Sequence, residues 1–181
     1  MDLKDKVPPH NLDAEQATLG AILFDSAAIS EIATILRPDR FYSFQNQLIY
    51  EAMLSLYKQN VAIDMLSLIN ELTKQGKLEQ AGGNAYIADL TNTVATSANI
   101  NYYVDIILDQ ATRRDLIRLS SDVRASAFDE THNSKVLLEQ AEKKIFNLSE
   151  NNETSRIYGM KDVISSTIEI IDQRYKNSGG L

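Results

Sequence analysis

Arg113, Arg114, Arg118 and Arg124 form a basic streak in a stretch that also carries Asp109, Asp115 and Asp122. Clustered guanidinium groups of this kind could grip nucleic-acid phosphates. They could equally pair along one helix, because the acids fall three or four residues from the arginines. Phe41-Tyr42, Tyr57, Tyr86 and Tyr102-Tyr103 are a second group with chemical potential. Stacking on single-stranded bases would want these rings interleaved with Lys or Arg. They stand instead beside Asn, Asp and apolar residues, which favours core or protein-interface use. His10 lies in a tail and His132 in a polar turn, each alone, and both read as structural or solvated rather than metal-binding.

The motifs of catalysis are absent from the sequence. A phosphate-binding loop needs G-x-x-x-x-G-K-[ST] after a strand. The Gly76-Lys77 pair has Glu71 and Leu78 where Gly and Ser or Thr are required. No G-x-G-x-x-G, H-E-x-x-H, G-x-S-x-G or EF-hand loop occurs. With no Cys, the chain has no disulfide, no thiolate nucleophile and no Cys-based zinc site. We expect no catalytic residue, no bound metal and no cofactor site in this chain.

Composition narrows the partners. The 181 residues carry Lys+Arg 18 against Asp+Glu 25, a net charge of −7, with 44% hydrophobic residues. This is ordinary globular composition. An acidic surface is a poor duplex-binding surface, since duplex binding draws on several Lys and Arg contacts to phosphate. Protein partners are the first expectation, and DNA binding by this chain is expected to be weak or none. No apolar run is long enough to span a membrane. The opening MDLKDKVPPH lacks an apolar core, so no signal peptide is read and the expected location is cytoplasmic.

Helices must position these residues. The chain has three Pro and seven Gly, and none of either falls between Asn84 and Tyr158. Strands would need turn residues far more often. Asn11 fits as an N-cap after Pro8-Pro9, with Asp13 and Glu15 in the first turn, where acids suit the helix dipole. Leu12, Leu19, Ile22 and Leu23 follow at helical spacing. Asp25 begins a second short helix with Ile29 and Ile32, and Pro38 stops it. Phe44, Leu48, Ala52, Met53 and Leu56 mark one face of a third. Asp64 caps a fourth with Leu66, Leu68, Ile69 and Leu72, ended by Gly76. Gly82-Gly83 turns into a short helix carrying Tyr86, Ile87 and Leu90.

From Ser97 to about Phe128 nothing breaks a helix, and Asp129–Ser134 reads as a turn. A second long helix follows, with Leu137, Leu138, Ala141, Ile145 and Leu148 as its stripe. The expected fold is all-α: a helical globule over 1–95, a long antiparallel helical hairpin over 96–149, a flexible linker over 150–159 and a tethered amphipathic linker helix over 160–176. The hairpin presents Ile100, Tyr103, Val104 and Ile107, which could pack on the globule or pair with a second copy. The tethered helix is too short to be stable alone and must dock on something.

The stretch Val7-Pro8-Pro9-His10-Asn11-Leu12-Asp13-Ala14-Glu15-Gln16-Ala17-Thr18-Leu19-Gly20-Ala21-Ile22-Leu23 resembles the opening of bacterial replicative DNA helicases of the DnaB type. Gly82-Gly83-Asn84-Ala85-Tyr86-Ile87, Ala98-Asn99-Ile100-Asn101-Tyr102-Tyr103 and Glu139-Gln140-Ala141-Glu142-Lys143-Lys144-Ile145 are similar to the same family, in order and with matching spacing. The opening pattern P-P-x-N-x-x-A-E-Q-x-x-L-G is specific; the others support it.

The resemblance implies an N-terminal helical domain ahead of a linker helix and a RecA-like motor. ATP and Mg would belong to that motor, beyond this chain. The family forms ring hexamers whose N-terminal domains pair through their hairpins as a trimer of dimers. The collar recruits primase, and a loader places the ring on DNA. By position, Asp13, Tyr86, Tyr103, Ile117 and Val123 are expected near the primase contact. Ile100, Tyr103, Val104 and Ile107 are expected in hairpin self-association, and Val163, Ile164, Ile168 and Ile171 in docking of the linker helix on a neighbouring motor domain. Two other readings stay open: a single-stranded DNA-binding helical domain using the arginine streak, and a monomeric helical scaffold.

Overall fold

The computed structural model describes residues 6–94, 96–129, 131 and 133–150, and every regular element among them is helical. Helix α1 spans Leu12–Phe24, α2 Ile29–Ile32, α3 Phe44–Lys58, α4 Met65–Lys74, α5 Gly83–Leu90 and α6 Ile100–Ala127. Helix α7 covers 134–150. Short 3-10 turns occupy Ser26–Ala28 and Pro38–Arg40. The expected linker helix, with Val163, Ile164, Ile168 and Ile171, lies outside the described residues, as does the linker expected over 150–159 except Glu150, which is still helical because neither Gly nor Pro interrupts α7 there.

Short-range chemistry sets most helix ends. Asn11 Oδ1 accepts the Ala14 amide at 2.9 Å, and Asp25 Oδ1 accepts that of Ala27 at 3.0 Å. Asp64 and Ser67 cap reciprocally: the Ser67 amide donates to Asp64 Oδ1 at 2.8 Å and the Asp64 amide to Ser67 Oγ at 2.9 Å. Hydrogen bonds from the Ser67 amide, which contributes most, the Ser67 hydroxyl and the Leu66 amide hold the Asp64 carboxyl below its ordinary range. Asn133 Oδ1 accepts the Lys135 amide at 2.9 Å and so opens α7. Gly76, at φ +68, ends α4 with paired bonds from Lys77 N–H to Leu72 O and from Gly76 N–H to Thr73 O. Asn60, at φ +55, ends α3 in the same way, through Val61 N–H to Leu56 O and Asn60 N–H to Tyr57 O. Asn tolerates this left-handed conformation better than other residues with a side chain.

The core lies where α1 meets α3, α5 and α6. Leu19, Ile22, Ile32, Leu36, Ile49, Met53, Leu68, Leu72 and Ile87 have essentially no exposure. Tyr50 joins them; its hydroxyl donates to Leu36 O at 3.1 Å, and burial pushes its ionisation well above the ordinary phenol range. At Gly20 α1 runs so close to the end of α5 that a Cβ would meet Leu90 O at 2.6 Å and Thr93 Oγ1 at 2.9 Å. In the globule three apolar positions expected on buried faces stay open: Leu12, Phe44 and Leu66 are 41%, 60% and 70% exposed. Each lies in the first turn of its helix, ahead of the residues that reach the core.

The two halves of α6 have different surroundings. Ile100, Val104, Ile107 and Ala111 recur at spacings of three and four and are buried against the globule. Tyr103 is half-buried on the same core. The expectation that Ile100, Val104 and Ile107 pair with a second copy is therefore corrected, because their own globule already covers them. Two side-chain bonds pin the start of α6, from Ser97 Oγ to Asp25 Oδ2 at 3.2 Å and from Asn101 Nδ2 to Glu31 Oε2 at 2.8 Å. Beyond Asp115, α6 leaves the globule and α7 folds back along it.

Candidate functional site

Among the described residues, the distal hairpin, from Asp115 through α7, exposes a run of large apolar side chains. Leu116, Ile117, Phe128, Val136, Leu138, Ile145 and Phe146 range from 42% to 84% exposed. Leu137, Ala141 and Leu148 of α7 are half-buried. Leu138 and Ile145, expected in the same stripe, point to solvent instead, because two helices alone cover only a narrow seam. Between the helices lies an open cleft of about 310 Å³. Val123, Ser126 and Ala127 line one side, and Ser134, Leu137, Leu138, Ala141 and Lys144 the other. That register, with the end of α6 against the start of α7, is an antiparallel hairpin.

The arginine streak divides. Arg113 Nε donates to Asp109 Oδ2 at 2.8 Å, which raises its ionisation further, and Arg118 lies 3.7 Å from Asp115. Both follow the expected pairing within the helix. Arg114 does not. Its Nη1 donates to Pro9 O at 2.9 Å, its Nη2 donates to Arg40 O, and its guanidinium lies 5.8 Å from the Tyr42 ring centre. Burial lowers its ionisation, although a guanidinium stays charged. Its neighbour Asp115 accepts from Arg40 Nη1 at 2.6 Å. Arg114 is thus a fastener of the fold rather than a free phosphate ligand.

The N-terminal tail is held at the same place. The His10 ring stacks on Tyr42 at 4.3 Å and 16°, with Nδ1 2.7 Å from Pro8 O. His10 is structural, as expected; His132 lies outside the described residues.

Sequence reasoning missed the role of Glu15. Expected as an acid placed in the first turn of α1 for the dipole of that helix, it is 2% exposed. Its carboxylate accepts the Tyr42 amide at 2.5 Å, the Ser43 amide at 3.2 Å and Asn46 Nδ2 at 2.8 Å. It therefore places negative charge at the N-terminal end of α3 rather than of its own helix. Asn46 Oδ1 accepts from Tyr86 Oη at 2.7 Å, and that oxygen accepts from Gln16 Nε2 at 3.2 Å. The one local signal was an acid set among small and apolar residues, Ala14, Ala17, Thr18 and Leu19.

The residues expected at a primase contact do not converge on one spot of the chain. Asp13 is exposed on the first turn of α1. The Tyr86 hydroxyl is engaged inside the Glu15–Asn46 network. Tyr103 lies over the core, whereas Ile117 and Val123 are 54% and 37% exposed on the distal hairpin. Among the described residues no group of His, Asp and Glu could hold a metal ion, and no helix is long and apolar enough to cross a membrane.

Known proteins share this arrangement. The N-terminal domain of DnaB helicase from Mycobacterium tuberculosis superposes with a TM-score of 0.72 at 32% identity, covering 78% of this chain and 99% of that one. A second structure, a DnaB-like replicative helicase described with its interactions with primase, has a TM-score of 0.65 at 23% identity and shares the fold over 78% of this chain and 31% of its own. In sequence, the replicative DNA helicase DnaB of Treponema pallidum (strain Nichols) is 36% identical over 180 residues, and the replicative DNA helicase DnaC of Bacillus subtilis (strain 168) is 35% identical over 179. Both alignments cover 99% of this chain but only 41% and 39% of those proteins, so the chain spans about two-fifths of their length. The family described as DnaB-like helicase N terminal domain matches residues 7–109, from the pinned tail through the buried half of α6, and the chain belongs to that family.

Proposed function

We propose that this chain is the assembly and partner-docking module of a replicative DNA helicase. Two copies associate through their distal hairpins, three such pairs form the collar of a hexamer, and the collar docks primase and a helicase loader. The carrying observation is the exposed apolar face of the distal hairpin, which projects beyond the buried core of the globule. Such a face on a soluble domain marks an interaction surface. Exposed Asp13, Ile117 and Val123 are the residues we assign to the primase contact. The primase interactions described for a helicase of the same fold support that assignment. Val163, Ile164, Ile168 and Ile171 dock on a neighbouring subunit's motor domain, where ATP and magnesium act. DNA passes through the assembled ring and is held weakly or not at all by this domain.

Light scattering over a concentration series tests the core of the proposal. The mass should rise above the 20.3 kDa of one chain as concentration increases. A mass that stays at one chain throughout counts against it. Oligonucleotide titration at two salt concentrations should show weak binding; tight, strongly salt-dependent binding would favour the single-stranded DNA reading instead.

A further inference from the structure

Past Ala111 no α6 side chain is buried, yet the helix runs on to Ala127, roughly 24 Å further at ~1.5 Å per residue. A projecting rod is steered most strongly by the contact farthest from its buried root. In α6 that contact is one turn beyond Ala111, at Arg114 and Asp115.

The contact there is a reciprocal clasp with the 3-10 turn at Pro38–Arg40. Arg40 Nη1 donates to Asp115 Oδ2 at 2.6 Å, while Arg114 Nη2 donates to Arg40 O. Both side chains of the Arg40–Asp115 pair are about one-fifth exposed. The pair is thus partly shielded from water, and partial burial strengthens an ion pair over a fully solvated one. The Arg114 guanidinium also reaches the N-terminal tail, through Pro9 O at 2.9 Å, and the tail is stacked through His10 on Tyr42. Three segments far apart in sequence, the tail, the 3-10 turn and the root of the hairpin, therefore meet on Arg114.

We propose that this clasp sets the direction in which the hairpin leaves the globule, and that the N-terminal tail is one of its parts, so that withdrawing the tail loosens the hairpin. The tail then acts as a latch on the element that presents the association face. The consequence for assembly rests on the function proposed above, but the clasp itself does not.

The chain has no Cys, so spin labels at Lys58→Cys and Ser121→Cys report the distance from globule to distal hairpin without background. The labelled 181-residue chain is diluted in unlabelled chain so that only distances within one copy are read. The unmodified clasp should give one narrow distribution. Arg40→Gln, which removes the bond to Asp115, and a chain beginning at His10, which removes the Pro9 carbonyl, should each broaden or shift it at unchanged helicity by circular dichroism. Wild-type distributions in both overturn the proposal. A shift in Arg40→Gln with none in the shortened chain overturns the part given to the tail, and the converse overturns the part given to Arg40. If either variant loses helicity, Asp115→Ala, which removes the acceptor of Arg40, and His10→Ala, which removes the ring that holds the tail on Tyr42, replace Arg40→Gln and the truncation respectively and are judged by the same outcomes. Because the readout is a distance within one copy, it is independent of whether the copies associate, which the light-scattering mass reports separately.

Discussion

Glu15 and Asn46 face each other inside the globule, 2.8 Å from carboxylate oxygen to amide nitrogen, and together they join α1, α3 and α5 through one polar chain. A buried carboxylate is tolerated only when its oxygens are supplied with donors, and here the start of α3 supplies them. Glu15→Ala would leave the Tyr42 and Ser43 amides and Asn46 Nδ2 without their acceptor. The expected cost is about 3 kcal/mol, from the desolvation of unpaired buried donors. For a chain of this size that lowers the melting temperature by roughly 6–12 °C. A thermal melt matching the wild type would show that the network contributes nothing net.

Gly20→Ala is expected to destabilise, against the usual gain of about 1 kcal/mol for replacing Gly by Ala within a helix. The added methyl would collide with a backbone carbonyl, Leu90 O, at 2.6 Å, and α5 could yield only by moving. Overpacking of this kind costs about 1–3 kcal/mol. Urea denaturation with an unchanged slope and a lower midpoint is the expected result; a raised midpoint would mean that α5 shifts without penalty.

Acid should unfold the chain partly through Asp64 and Glu71. Both are held below the ordinary carboxylate range, Asp64 chiefly by the Ser67 amide and Glu71 chiefly by the Ser55 hydroxyl at 2.8 Å, aided by Gln75. A depressed folded-state value means that the stabilisation is complete above the unfolded value, near pH ~4, and is lost as pH falls through the folded one. Asp64→Asn keeps a good capping residue but removes the titration. Its melting temperature should therefore fall less steeply below about pH 4 than that of the wild type. Parallel curves for the two proteins would remove Asp64 from the account.

Substitutions on the two halves of α6 should separate folding from association. Ile107→Asp puts a charge where 2% of the side chain is exposed, a loss of roughly 3–5 kcal/mol that should appear as lost helicity or early melting. Leu116→Asp, at a position 47% exposed, should leave the melt of a dilute sample nearly unchanged and lower the mass seen by light scattering at high concentration. If Leu116→Asp and Leu138→Asp both keep the concentration-dependent mass, the association face lies elsewhere on the chain.

Much of this fold was legible as text. Asn11, Asp25, Asp64 and Gly76 mark helix ends because capping is a short-range matter of one side chain and a few neighbouring amides or carbonyls. The breaker-free stretch after Gly83 forces long helices, and the opening motif carries the family. Asn60 could have been read the same way, but a left-handed cap by Asn is a weaker signal than one by Gly.

Tertiary structure alone decided the rest. Periodicity marks a face of α6 as apolar without saying what covers it, so the division between Ile107 under the globule and Ile117 in solvent emerged only when α6 was laid against α1. The same holds for the polar residues. Glu15 bonds to amides 27 and 28 residues away and Arg114 to a carbonyl 74 away, and whether a charged side chain is solvated or sealed depends on which distant backbone groups the fold carries to it.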